Sequence, residues 1–218
     1  MNKSNRQGRA RKLFGPNAQS IGHIGLRSDL SKSDLGRGAI VIALGANRHG
    51  NWGAPAQTIQ RACDELHLAG LDLRYLSSLY LSASVGPGRP QPFVNAVVVA
   101  DSHLSPWALL RLLHRMERRA GQRSAMPWGP RALDLDIIDY KGLIRNWRTR
   151  RGSTAVAAGR RLVLPHARAH TRPFVMVPLL EAHPRWRHPA LRRSGHALLR
   201  AVQRLQAGRI LERLQQLR

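Results

Sequence analysis

The sequence predicts an α+β fold in the order β-α-β-β-α-β, with extra strand and helix elements at the C-terminal end. Three observations carry this. Residues 39–44 and 93–100 are short, nearly continuous apolar runs of strand length. Two amphipathic stretches, from Pro55 and from Pro106, each open on proline and stop at glycine, Gly70 and Gly121. Residues 133–137 alternate Leu, Asp, Leu, Asp, Ile, the period-two pattern of a strand with one apolar face.

In chain order, residues 1–38 are rich in Arg, Lys, Ser, Gly and Asn without apolar periodicity, and read as a basic, disordered tail. Residues 39–44 form a central strand that Gly45-Ala46-Asn47 ends. The helix from Pro55 buries Ile59, Ala62, Cys63 and Leu66. Residues 71–81 read as one strand, with Leu71, Leu73, Tyr75, Ser77 and Leu79 on one face. A Gly/Pro-rich loop follows at 86–92, then the strand at 93–100. Ser105 caps the second helix, whose stripe of Leu109, Leu112, Leu113 and Met116 opposes Arg111, Arg115, Arg118 and Arg119. The loop 122–131 leads into the alternating strand. This order is the ferredoxin-like split βαβ arrangement, two helices on one sheet face and the other face open to ligands. Residues 141–161 are an Arg-rich insertion, 162–166 a short strand, and 174–181 a short helix. Residues 183–218 space Leu198, Val202, Leu205, Ile210, Leu214 and Leu217 as a basic extension of one or two helices. The division expected is thus a tail (1–38), a folded central domain (39–182) and an extension (183–218).

The 218 residues hold 36 Lys and Arg against 12 Asp and Glu, a formal charge of +24. Anionic partners follow from that excess, but not which, and much of it lies at the two ends. A single cysteine excludes an intramolecular disulfide framework and fits a reducing compartment. No apolar run approaches membrane-spanning length, so a cytoplasmic protein without a membrane partner is expected. No G-x-x-x-x-G-K-[ST] is present, so this is not a P-loop protein.

Asp134 and Asp136 share one strand face with Cα atoms roughly 7 Å apart. They repel unless cations lie between them, and two Mg²⁺ ions about 3.5–4 Å apart are one solution, used to clamp polyphosphates. From alternation alone, acids that keep an edge strand soluble would serve as well. Arg131 and Trp128 just upstream favour the metal–phosphate site.

Several stretches, taken in order, resemble the 6-hydroxymethyl-7,8-dihydropterin pyrophosphokinase family: Ala43-Leu44-Gly45-Ala46-Asn47, Ser77-Ser78-Leu79-Tyr80, Phe93-Val94-Asn95-Ala96, Trp128-Gly129-Pro130-Arg131 with Leu133-Asp134-Leu135-Asp136, and Leu164-Pro165-His166 before Arg172-Pro173-Phe174. The resemblance spans roughly residues 39–182. It implies a ferredoxin-like α+β sandwich and transfer of pyrophosphate from ATP to the hydroxymethyl group of the reduced pterin, releasing AMP, in folate biosynthesis. It assigns two Mg²⁺ ions to Asp134 and Asp136, and catalytic roles to Arg131, Asp134, Asp136 and Arg123. On the ATP side it places Arg131, Trp128, His166, Arg172, Arg161 and Glu117. Around the pterin it places Phe93 and Phe174 as stacking rings, the Asn95 amide on the ring edge, backbone groups of Ser82, Ala83 and Val85, and Tyr80.

There are departures. Gly121-Gln122 stands where the family has Gly-Arg, and Arg123 is the substitute one residue along. Pro90 stands where the family has Gln, with Gln91 offset by one. The insertion and both ends lie outside the resemblance. The expected partners are ATP and a reduced pterin, with a monomer expected and a dimer left open. The rival is a nucleic-acid-binding protein that uses the sheet as a platform, or a catalytically degenerate relative. Against the nucleic-acid reading, the RNP-type aromatic motif is missing and the two aspartates would repel phosphate.

Overall fold

The structure is a computed structural model that describes residue 13 and residues 38–85, 91–121, 129–147, 162–205 and 207–216. Strand β1 (Ile40–Ala46) is followed by helix α1 (Pro55–Leu68), strands β2 (Asp72–Leu76), β3 (Ser78–Ser82) and β4 (Phe93–Asp101), helix α2 (Pro106–Ala120) and strand β5 (Asp134–Tyr140). A short 3₁₀ turn (Ala169–Thr171), helices α3 (Pro173–Ala182) and α4 (Gly195–Val202) and strand β6 (Ile210–Gln216) complete the order.

The sheet runs β5-β1-β4-β3-β6, with β2 also paired to β4. Each pairing is antiparallel. Ile40, Ile42 and Leu44 of β1 point to a core built with Ile59, Ala62, Cys63 and Leu66 of α1 and Leu109, Leu113 and Met116 of α2. Full burial pushes the Cys63 thiol pKa far up, as expected of a small core hydrophobe rather than a nucleophile. Ser105 caps α2 by accepting from Ala108 N at 3.2 Å, as its position before Pro106 predicts. Leu112 is only partly buried, and the four arginines of α2 face solvent.

The second sheet face is not left bare. Val41, Val97, Val99 and Ile138 pack there against Val175, Met176 and Leu179 of α3 and Leu198 of α4. On β1 the residues on this face are Val41, Ala43 and Gly45. Val41 lies under the helices, while Ala43 and Gly45 line a cleft, so half of this face stays open.

Three sequence expectations change. The predicted strand over 71–81 is two strands broken at Ser77. The Ser77 hydroxyl accepts from Val97 N at 2.9 Å and donates to Ser78 O at 2.8 Å, so a side chain replaces a rung of the ladder. Residues 162–166 form a bridge from Leu164 to Arg145 rather than a strand. The last segment of the predicted helical extension is strand β6, hydrogen-bonded to β3. Ile210 and Leu214 lie four residues apart, a spacing that shares a face in a helix and in a strand alike, so periodicity could not choose. A long-range pairing decided it. The expected tail over residues 1–38, apart from residues 13 and 38, and residues 148–161 of the expected 141–161 insertion lie outside the described residues.

Candidate active site

The open half of the sheet face is a small cleft of about 120 Å³ that opens to solvent. One end is acidic and basic. Asp134 and Asp136 stand opposite Gly45 and Ala43 across the β1–β5 ladder, so both carboxylates rise from the same face. Asp134 is in a direct ion pair with Arg131, but neither carboxylate is buried. Arg131 bonds Asp134, and both side chains are about a third exposed (35% and 30%). Asp136 has looser neighbours, His166 Nε2 at 3.8 Å and Arg172 Nη1 at 4.0 Å. Burial pulls the His166 pKa down, against the opposing pull of Asp136, and this keeps its ring neutral. Burial also pulls Arg172 down, again opposed by Asp136.

The other end is flat and apolar. Phe93 opens β4 and Phe174 sits in the first turn of α3, and both line the cleft with Asn95, Ser82, Ala83 and Val85. The Asn95 amide nitrogen donates to Ser82 Oγ (2.9 Å) and Phe93 O (3.2 Å). With its NH₂ held by the wall, its oxygen lies on the Gly45 side: a Cβ on Gly45 would stand 3.5 Å from Asn95 Oδ1. The expectation that this amide offers both donor and acceptor to a ligand narrows to the acceptor. Ala83 is narrowed too, because its N–H already donates to Arg209 O at 2.9 Å. The two ends are joined by Arg172, whose guanidinium sits 5.6 Å from the Phe174 ring centre.

Two expected residues are placed elsewhere. Tyr80 is buried behind the slot beside Glu181, and burial first and that carboxylate second push its pKa up to about 12. It meets the site only through its carbonyl, which accepts from Asn95 at 3.4 Å. Glu117 is 2% exposed, and its Oε1 accepts from Leu135 N at 2.9 Å. It braces the aspartate strand from α2 and does not line the cleft. Arg123, Trp128 and Arg161 lie outside the described residues.

Gly45, Ser84 and Val175 line the cleft but were not read from the sequence as site residues. Gly45 left a signal, since a glycine at the end of a central apolar strand marks a close approach. Asn47 left none. It follows β1, and its side chain accepts from Arg131 N at 2.7 Å and donates to Gln91 O at 3.3 Å, touching both loops that flank the cleft.

Among the described residues no group of three or more His, Cys, Asp or Glu gathers to hold a metal unaided. Two carboxylates on one face nonetheless suit Mg²⁺, which is held by one or two carboxylates together with substrate phosphates.

A family model described as 7,8-dihydro-6-hydroxymethylpterin-pyrophosphokinase matches residues 41–184. A 2-amino-4-hydroxy-6-hydroxymethyldihydropteridine pyrophosphokinase of Synechocystis is 36% identical over 166 residues, 76% of this chain and 75% of that protein. The protein of the same name from Haemophilus influenzae is 35% identical over 141 residues, 64% of this chain and 78% of its own. A mitochondrial folate synthesis bifunctional protein of pea is 33% identical over 142 residues, 65% of this chain but only 24% of its own length. Among solved structures, wild-type HPPK-DHPS of Plasmodium falciparum with pteroate superposes with a TM-score of 0.54 at 12% identity, over 75% of this chain and 44% of that one. An HPPK-DHPS in complex with substrates gives 0.52 at 13% identity, over 75% and 43%. These likenesses concern the fold, and the chain spans less than half the length of those solved proteins.

Proposed function

The chain belongs to the 7,8-dihydro-6-hydroxymethylpterin-pyrophosphokinase family, and from that premise we propose that it transfers the β,γ-pyrophosphoryl group of ATP to 6-hydroxymethyl-7,8-dihydropterin, a step of folate biosynthesis. The observation that carries the reading is the two-ended cleft. Carboxylates and arginines stand at one end, and two phenyl rings with a fixed amide oxygen stand at the other. The ferredoxin-like description of the core is supported by the antiparallel order β5-β1-β4-β3, with α1 and α2 on one face.

The hydroxymethyl oxygen attacks the β-phosphorus. The bond from that phosphorus to the oxygen bridging it to the α-phosphate breaks, the hydroxyl loses its proton, and AMP leaves. Such transfers demand positioning and charge stabilisation more than covalent help. Phe93 and Phe174 stack on the two pterin faces, and Asn95 Oδ1 accepts from a ring N–H. Arg131 and Arg172 bind phosphate oxygens, and neutral His166, whose Nδ1 already accepts from Arg168 N at 3.2 Å, donates through Nε2 without adding charge beside Asp136. Asp134 and Asp136 would hold Mg²⁺ on the phosphate side, where the metal would supply neutralisation of charge on the transferring group. Arg131 exchanges its bond with Asp134 for phosphate when the nucleotide enters. Closure of the two flanking loops excludes the water that would hydrolyse ATP. The protein acts in the cytoplasm; no helix among the described residues is long and apolar enough to cross a membrane.

The test is AMP release with and without the pterin, with Mg²⁺ and with EDTA. Release that requires both, and that falls at least a thousandfold in Asp134→Ala and Asp136→Ala while both variants melt as wild type, is the expected outcome. Near-normal turnover in either variant overturns the metal assignment.

A further inference from the structure

The cleft has a wall supplied from the far end of the chain. The turn between α4 and β6 carries Gly208, buried and with φ +72°, packed directly on the Phe174 ring. A Cβ built on Gly208 would stand 2.5 Å from Phe174 Cδ1, 2.9 Å from Cε1 and 3.3 Å from Val85 Cγ2. The first two contacts are closer than real Cβ atoms come, so the Phe174 ring must shift to admit one. The next residue, Arg209, accepts the Ala83 N–H through its carbonyl at 2.9 Å. Beyond it β6 pairs with β3 from Ser82 to Ser78. Arg213 of β6 fastens the far end, donating to Glu181 Oε1 at 2.5 Å and to Ser78 Oγ at 3.0 Å. Phe174, Val85 and Ala83 are three of the residues lining the apolar end of the cleft, and all three touch this turn.

We infer that Gly208 is a positioning residue for the stacking ring: the turn it forms backs Phe174 from behind and so sets the thickness of the slot to one flat ring. The inference rests on the proposed function, in which that slot takes the pterin. Any side chain at 208 moves the ring toward Phe93 and narrows the slot, while Asp134 and Asp136 at the phosphate end are carried by β5 and stay in place. The strand that the sequence alone reads as a basic appendage is thereby part of substrate selection.

The experiment measures binding of 6-hydroxymethylpterin to the full chain, by isothermal titration with saturating α,β-methylene-ATP and Mg²⁺, and binding of the nucleotide analogue alone. Gly208→Ala is expected to weaken the pterin at least tenfold and to leave the analogue within twofold. Alanine at φ +72° also strains the backbone, so Gly70→Ala is the control: it has φ +86° with nothing within 4 Å of the added Cβ. It should lower the melting temperature and leave both affinities within twofold. Phe174→Ala removes the atoms that collide, so adding Gly208→Ala to it should change pterin affinity less than twofold. If Gly208→Ala alone does not fold, the double variant should fold.

An unchanged pterin affinity in Gly208→Ala, an equal loss for pterin and analogue, a full additive loss in the Phe174→Ala background, or a double variant no better folded than the single one would overturn the inference. A wild-type chain that binds neither probe would instead overturn the proposed function.

Discussion

Asn47 should matter to turnover more than its distance from the chemistry suggests. It is 5% exposed, its Oδ1 accepts from Arg131 N at 2.7 Å, and its own N–H donates to Arg131 O at 3.0 Å. Its Nδ2 reaches across to Gln91 O at 3.3 Å. One side chain therefore fixes the backbone of the phosphate-side arginine and the end of the loop before Phe93. Asn47→Ala removes the Arg131 bond and leaves a half-buried N–H without its partner, costing about 1–3 kcal/mol, and removes the Gln91 bond for roughly another 0.5–1.5 kcal/mol. At about 1.4 kcal/mol per tenfold, even half of that sum reaching the transition state lowers kcat/KM about tenfold. Asn47→Asp separates the two bonds. It keeps the acceptor for Arg131 N and sets a carboxylate against the Gln91 carbonyl, so its loss should fall on the pterin KM and spare that of ATP. The assay is pterin-dependent AMP release with each substrate varied in turn. An Asn47→Ala enzyme that melts lower yet keeps kcat/KM within threefold for both substrates would refute the coupling of the two loops through this residue.

Gly45→Ala should fold, because the added Cβ meets Asn95 Oδ1, Phe93 Cδ1 and Asp134 Cβ at ordinary contact distances of 3.5, 3.7 and 3.9 Å. It fills the slot, so titration should show at least a tenfold loss of pterin affinity and little change for the nucleotide. Glu181→Ala strips partners from Ser78 N, Ser78 Oγ and Arg213, and should cost about 2–3 kcal/mol, or roughly 4–12 °C in Tm by calorimetry. In the same variant the Tyr80 pKa, read by ultraviolet titration, should fall from about 12 only partway toward 10.0, since burial is its larger cause and remains. His188 is packed among Trp147, His170 and Trp186, and burial together with the nearby His170 pushes its pKa down to about 4. The unfolded chain, with the ordinary value near 6.5, binds more protons between those limits. Folding stability therefore declines as pH falls from about 6.5 toward 4, by up to about 3 kcal/mol from this group. Asp139, raised by burial, works in the opposite sense over the lower part of that range. Denaturant melts at pH 7 and pH 4.5 should show a smaller loss in His188→Gln than in wild type.

The elements that were legible in the sequence share a physical trait: their signal is local. Proline at the first turn and glycine after the last one bound α1 and α2, and the caps that the sequence implies are the ones that form, as Ser105 shows. Alternation over 133–137 identified which face of β5 carries acids, because a strand leaves no choice about where Asp134 and Asp136 point once Leu133, Leu135 and Ile137 are buried. What was illegible depended on pairing at a distance. Nothing near Ser77 announces that its hydroxyl will take a place in the ladder. Nothing in 210–216 says that β3 offers an unpaired edge more than 120 residues upstream.

The same division holds within the site. Phe93, Asn95, Asp134, Asp136, Arg131 and Phe174 were found as motifs, each beside its own strand or helix boundary. Their supports were not, because Asn47, Glu117, Gly208 and Arg209 act on residues remote in the chain. Glu117 shows the cost of assigning a role by motif position alone. A carboxylate expected at the nucleotide is instead spent on the Leu135 amide, beneath the strand that bears the aspartates. Composition misleads in a similar way. The formal charge of +24 suggests a surface for polyanions, yet Asp134 and Asp136 at the phosphate end stand against Arg131 and Arg172, with His166 kept neutral by burial. That near-neutral set would be a poor trap for a phosphate on its own. In the proposed function it becomes a good one when a polyphosphate brings its divalent cations, because the aspartates would then face metal and the arginines would be free for phosphate oxygens. On that proposal the balance of charge at the cleft, rather than the excess over the whole chain, selects the ligand.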